Sequence, residues 1–194
     1  MPAMATLYFD LASPYAYLAF ARAADVLGAP PALQPVLAGA IFDHRGHGSW
    51  AHTDAREANQ AEIEARARRY GLPPIAWPPG WPPNALRAMR AVIWAQRTRA
   101  DGGEAFARAA YRAAFAQGRD LADLDVLVAS ARAAGLPAER LADGIADPAV
   151  KAALRDETDA AIARGVRGVP TLACDDGRLL FGDDRLSEAA PAPR

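Results

Sequence analysis

Thr6-Leu7-Tyr8-Phe9-Asp10-Leu11-Ala12-Ser13-Pro14-Tyr15-Ala16-Tyr17-Leu18 is the stretch on which the fold turns. Thr6 to Phe9 is a short β-prone run, because β-branched and aromatic side chains suit a pleated, buried surface. Ser13-Pro14 then reads as a helix start. A serine oxygen can accept from an unpaired N–H of the first turn, and proline tolerates the first helical position because its missing N–H would be unpaired there anyway. The helix is expected to run to Leu27 and stop at Gly28-Ala29-Pro30-Pro31. A second strand, around Leu33 to Leu37, follows. Pro35 within it cannot donate to a ladder, which places that strand at a sheet edge or a bulge. The chain therefore opens as a βαβ unit with a helix start directly behind its first strand.

The β signal returns only at the far end. Thr171 to Cys174 and Arg178 to Phe181 flank Asp175-Asp176-Gly177, a hairpin turn signature. Gly182-Asp183-Asp184 starts a short final helix, and Ala190 to Arg194 reads as a frayed tail. Between the two ends, His44 to Thr53 is a polar loop. Helical periodicity then covers Asp54 to Tyr70, Ala85 to Arg99, Glu104 to Ala116, Ala122 to Ala134 and Pro148 to Arg164. Asn84 can cap the second of these, Gly118 can end the third, and Asp147-Pro148 repeats the cap-plus-proline start. The expected organisation is one α/β domain from residues 1–43 and 165–194, joined in one sheet, with an all-helical insertion over 44–164.

Composition narrows the function. The chain has 194 residues, 52% hydrophobic and 23% charged, with a formal net charge of -1. It is long enough to bury a real core, and it carries no basic field to gather phosphates or anionic lipid, so nucleic acid and membrane are not expected partners. Lys151 is the only lysine; the arginines lie among alanines on apparent helix faces. No basic stretch followed by an apolar run marks a signal peptide at Met1 to Leu7, and no segment reaches the roughly 18 apolar residues of a membrane span. With the single cysteine Cys174 an internal disulfide is ruled out, and a reducing cytoplasm is the default expectation.

Two features carry chemistry. Ser13 sits at a helix N-terminus, where unpaired N–H groups and the helix dipole favour negative charge, and its hydroxyl can donate to a thiolate and lower that thiol's pKa. Alone, it reads first as an ordinary cap. Gly168-Val169-Pro170 precedes the second β region. A cis bond there would leave the Val169 N–H and carbonyl free for a ligand's backbone, whereas a trans bond would make it a plain surface turn. Together, at opposite ends of the chain, they say far more than either does alone.

The motifs Tyr8-Phe9-Asp10, Ser13-Pro14-Tyr15-Ala16-Tyr17-Leu18, Gly165-Val166-Arg167-Gly168-Val169-Pro170-Thr171 and Phe181-Gly182-Asp183-Asp184-Arg185-Leu186 resemble those of the 2-hydroxychromene-2-carboxylate isomerase family. Ala67 to Pro73 and Trp81 to Arg90 extend the likeness through the middle. That family is similar to kappa-class glutathione transferases and, more distantly, to DsbA thiol-disulfide oxidoreductases. The resemblance implies a thioredoxin-like fold with a large helical insertion, and an enzyme whose cofactor is glutathione or another low-molecular-weight thiol, without a metal. It implies that Ser13 is the catalytic residue that activates the bound sulfur and that Pro14 and Tyr15 line the same turn. Val169, ahead of Pro170, would pair with the cysteinyl backbone, and Asp183 and Asp184 would hold the γ-glutamyl end.

Two positions depart from the family. Gly46-His47-Gly48 stands where an asparagine is usual, and Arg56 is the nearest substitute for a lysine early in the first inserted helix. The implied activity is isomerisation: a thiol adds reversibly to a conjugated aromatic substrate and is regenerated. The alternatives are a kappa-like transferase or peroxidase, and a non-catalytic thioredoxin-fold binding protein. Dithiol exchange is excluded, because it needs cysteines where Ser13 and Ala16 stand. A homodimer is compatible with the sequence but not required by it.

Other features are weighed and set lower. His44, His47 and His52 lie close in sequence but match no standard zinc spacing, so no metal is expected, and His47 is kept as a residue of the site's mouth. Trp77-Pro78-Pro79-Gly80-Trp81-Pro82-Pro83 is a stiff, aromatic stretch. Either Trp81 and Asn84 face a flat aromatic substrate, or the stretch is a rigid connector. Cys174 reads as a buried apolar residue.

Overall fold

The structure is a computed structural model, and it describes residues 5–190. The tail residues 191–194 lie outside the described part. β1 (Thr6–Phe9) leads into α1 (Pro14–Leu27) and β2 (Ala32–Pro35). Helices α2 (Ala38–His44), α3 (Arg56–Arg69), α4 (Leu86–Thr98), α5 (Gly102–Tyr111), α6 (Leu124–Ala133), α7 (Leu141–Ala146) and α8 (Pro148–Ala163) follow. β3 (Thr171–Ala173), β4 (Leu179–Phe181) and a 3₁₀ segment, Asp183–Ala189, complete the described chain.

One four-stranded sheet has the order β2-β1-β3-β4. β1 runs parallel to β2, with Thr6 opposite Ala32, and antiparallel to β3, with Tyr8 opposite Thr171. β3 and β4 form the hairpin, turned at Asp175-Asp176-Gly177, where the Gly177 N–H donates to the Cys174 carbonyl at 3.0 Å. The two ends of the chain thus build one sheet, as their patterns predict, and this is a thioredoxin-like α/β fold with a helical block inserted. Pro35 lies in an edge strand, β2, where a missing N–H costs no ladder bond.

Burial explains why β1 is central. Leu7, Tyr8 and Phe9 are all buried, and because successive side chains point to opposite faces, both faces of the strand are covered. Leu7 packs with Ala19, Ala23, Leu172, Leu180 and Leu186 in one apolar cluster with α1. Tyr8 and Phe9 join Leu11, Leu18, Met89, Tyr111 and Phe115 in the core shared with the helical block. Tyr111 pins that block to the end of β1: its ring lies 6.2 Å from Phe9, and its hydroxyl donates to the Asp10 carbonyl at 3.0 Å.

Several boundaries differ from the sequence reading, each for a tertiary reason. Residues 38–43, left unassigned, and His44, read as loop, form α2, whose first N–H groups are met by distant side chains rather than by a local cap. Glu104 does not begin α5; Gly102 does, and a Cβ there would collide with the Ala95 carbonyl oxygen of α4. The expected continuation to Ala116 is a π-helical turn, Arg112–Ala116. α7 also went unread. No helix among the described residues is long and apolar enough to cross a membrane.

Candidate functional site

The Ser13 backbone is extended (φ -88°, ψ 115°), and its Oγ accepts the Ala16 N–H at 3.2 Å with Pro14 at the first helical position. That bond uses an oxygen lone pair and leaves the hydroxyl hydrogen unused; among the described residues it donates to nothing. Ser13 is half-buried and lines a cleft of about 1050 Å³. Its hydroxyl is therefore a donor at the positive end of a 14-residue helix.

Opposite stands the loop before β3. Because Tyr8 pairs with Thr171, the end of β1 that feeds Ser13 lies beside the residues that feed β3. The Val169-Pro170 bond is cis. Val169 is buried and lines the same cleft, yet neither its N–H nor its carbonyl has a hydrogen-bond partner among the described residues. Buried backbone groups are nearly always paired, so this unpaired edge of backbone fits a ligand that is itself backbone-like.

Asp10 ties the walls together. It is 5% exposed; its Oδ1 accepts the Ala12 N–H and its Oδ2 the Ala38 N–H, both at 2.9 Å. The carboxylate thus fastens the turn that carries Ser13 to the start of α2, and the Asp10 carbonyl accepts the Ser13 N–H at 3.0 Å. Burial pushes the Asp10 carboxyl above the usual range, against the pull of those two N–H groups.

A charged cluster closes the far wall. Asp183 has a fully buried side chain; Arg66 donates to it at 2.6 Å and the Tyr70 hydroxyl at 3.1 Å. Burial raises its pKa more than Arg66 and Tyr70 lower it, and Arg66 itself is pushed up, against its own burial, by its hydrogen bonds to Glu62 and then by the charge of Asp183. With both oxygens engaged, Asp183 works as an anchor for Arg66. Asp184 differs: its side chain is 57% exposed into the cleft and lies 3.6 Å from Arg66. Gly182 makes this turn possible, since its φ is 118° and a Cβ there would sit 2.5 Å from an Asp184 oxygen. Tyr15 donates to Asn59 at 2.8 Å and to Glu62 at 3.3 Å, and burial with Glu62 beside it pushes its hydroxyl up to about 12. It stays a phenol, a wall and a donor rather than a base.

Of the residues singled out from the sequence, Ser13, Pro14, Tyr15, Val169, Pro170, Asp183 and Asp184 line one cleft, and so do His47, Trp81 and Asn84. Arg56 does not line it; it donates to the Trp81 carbonyl at 2.7 Å and props that loop from behind. Trp81 is 4% exposed and tied through its indole N–H to the Ala12 carbonyl at 3.1 Å, so it is a fixed wall beside Ser13. Asn84 accepts the Leu86 N–H at 3.1 Å, but the N-cap of α4 is Ala85, one residue later than the sequence reading placed it. Cys174 lies outside the cleft, with its thiol pushed up by burial. Among the described residues no group of three His, Cys, Asp or Glu could hold a metal ion.

Arg66, Asn59 and Trp50 were missed by the sequence reading. Trp50 packs 5.2 Å from Trp81 and 6.0 Å from Tyr15. The available signal was periodic: Asn59, Glu62 and Arg66 fall on one face of α3, and its C-cap Tyr70 continues the row, at three- and four-residue steps.

The sequence profile described as a DSBA-like thioredoxin domain matches residues 5–192. The chain belongs to that family. It is similar to the curated "Glutathione S-transferase kappa 1" of Homo sapiens, with 27% identity over 96% of this chain and 88% of the relative. It is also similar to "2-hydroxychromene-2-carboxylate isomerase" of Sphingobium xenophagum, with 28% identity over 92% of each. A solved structure of a 2-hydroxychromene-2-carboxylate isomerase superposes with a TM-score of 0.82 at 23% identity, covering 94% of this chain and 90% of that one. The curated relatives are both enzymes, and the shared fold extends over nearly the whole chain.

Proposed function

We propose that this protein is a thiol-dependent isomerase, with glutathione as the first candidate thiol and a conjugated aromatic compound as substrate. The observation that carries the reading is the pairing of a Ser13 hydroxyl with an unused hydrogen and a Val169 backbone with no partner, across one cleft. Each residue then has a task. Ser13 donates a hydrogen bond to a sulfur anion and holds it ionised near neutral pH. The Val169 N–H and carbonyl align a cysteinyl backbone, and the exposed Asp184 carboxylate meets an α-ammonium while Asp183 keeps Arg66 in place. When bound, the thiol supplies a nucleophile that adds reversibly to a conjugated carbonyl and leaves unchanged. Trp81, Trp50 and Tyr15 form an aromatic wall, which limits water at the reacting centre.

Similar identity to a kappa-class transferase supports a second reading, in which the thiol is consumed. Calorimetric titration with glutathione tests the shared premise: saturable binding is expected. Its absence would leave the non-catalytic reading. Quantifying thiol during turnover separates the two enzymes, since an isomerase leaves its amount constant and a transferase depletes it.

A further inference from the structure

Two cations at the cleft mouth have no use in that scheme. Arg45, just past the end of α2, and Arg167, next to the cis-proline loop, are exposed and line the cleft. Among the described residues neither guanidinium has a hydrogen-bond or ion-pair partner. Their segments meet. A Cβ on Gly168 would lie 3.5 Å from the Phe42 ring of α2 and 2.9 Å from the Phe181 ring. Phe181 is 53% exposed, the one exposed large hydrophobic side chain among the described residues. Nearby carboxylates do not neutralise the pair. Asp183 and Asp184 face Arg66, and Asp10 is met by backbone N–H groups. Asp43 alone lines this part of the cleft as a competing anion. Two free guanidinium forks beside an apolar ring suit a carboxylate on an apolar body.

We propose that Arg45 and Arg167 hold a ligand carboxylate at the mouth of the cleft, with Phe181 and Phe42 covering the apolar part of that ligand. The proposal rests on reading the cleft as the thiol-chemistry site, and two carboxylates could occupy it there: one on the substrate, or the glycine carboxylate of glutathione. The test uses two matched pairs, cinnamate against methyl cinnamate, and glutathione against its glycine ethyl ester, titrated at low salt into wild type and R45Q/R167Q. Both arginines are exposed, so an unchanged thermal melt is expected to show that the variant folds.

Exposed ion pairs of this kind amount to roughly three- to tenfold in affinity for the two together. Wild type should therefore prefer the charged member of at least one pair by about that factor, and the double variant should lose the preference. Loss confined to cinnamate assigns the site to the substrate; loss confined to glutathione assigns it to the thiol. The proposal is overturned if wild type shows no preference in either pair, or if the preference survives in the double variant. The cinnamate arm requires no thiol, so its outcome stands even if glutathione does not bind.

Discussion

Removing the Ser13 hydroxyl should raise the pKa of a thiol bound in the cleft. The Oγ already accepts from Ala16 at 3.2 Å, so its hydrogen is the part offered to an anion. A hydrogen bond to a charged group contributes roughly 1.5–3 kcal/mol. At about 1.36 kcal/mol per unit, Ser13→Ala is expected to raise the bound thiol's pKa by about one to two units. Below both pKa values the thiolate fraction, and any rate that depends on it, then falls roughly ten- to a hundredfold.

The assay is thiolate ultraviolet absorbance against pH, with glutathione held saturating. The same substitution removes the α1 cap, which costs about 1 kcal/mol of folding stability, or about 2–4 °C in a chain of this size. Ser13→Thr separates the two effects, because it keeps both oxygen and hydrogen and should restore the titration curve. A Ser13→Ala curve that superimposes on wild type would refute the role given to the hydroxyl, whatever the melting temperature does.

Asp10 gives a pH prediction. Its folded pKa lies above the unfolded value, so in the window between them the folded chain holds a proton that the unfolded chain releases. Its contribution to stability is therefore complete below the unfolded pKa and is lost as pH rises through the folded one. Asp10→Asn should flatten that slope in urea midpoints across the acidic range. At neutral pH it should cost about 1–3 kcal/mol, because an amide NH₂ then faces one of the two N–H donors; an unaltered slope would mean that Asp10 titrates normally. Gly102→Ala should destabilise the helical block by about 1–3 kcal/mol through collision with the Ala95 carbonyl, and a thermal melt matching wild type would show that α4 and α5 can move apart freely.

Local chemistry made part of this structure legible. Ser13-Pro14 and Asp147-Pro148 both start helices, with the Ser13 and Asp147 side chains accepting first-turn N–H groups as read. Asp175-Asp176-Gly177 turns the hairpin, and Pro35 marks an edge. Ser13 and Val169 stood out only as a pair at opposite ends of the chain; alone, the first reads as an ordinary cap and the second as an ordinary turn. What stayed hidden depends on distant partners. α2 has no capping side chain of its own; Asp10 and Thr158 supply the acceptors for Ala38 and Leu37. Arg66 looks in sequence like any helix-surface arginine until Asp183 is brought against it from the other end of the chain. Gly102 reads as a helix breaker until the close approach of α4 makes glycine the residue that fits.

The sheet order carries a consequence for biosynthesis. β1 meets β2 almost at once, but its other neighbour, β3, leaves the ribosome only after the whole helical block. At ordinary elongation speeds Ser13 waits on the order of ten seconds for Val169 to appear. Throughout that wait one flank of β1 has no strand to bond, and the cleft lacks one of its walls. A nascent chain halted before residue 170 would carry Ser13 at the start of its helix and still lack the cis-proline wall that faces it.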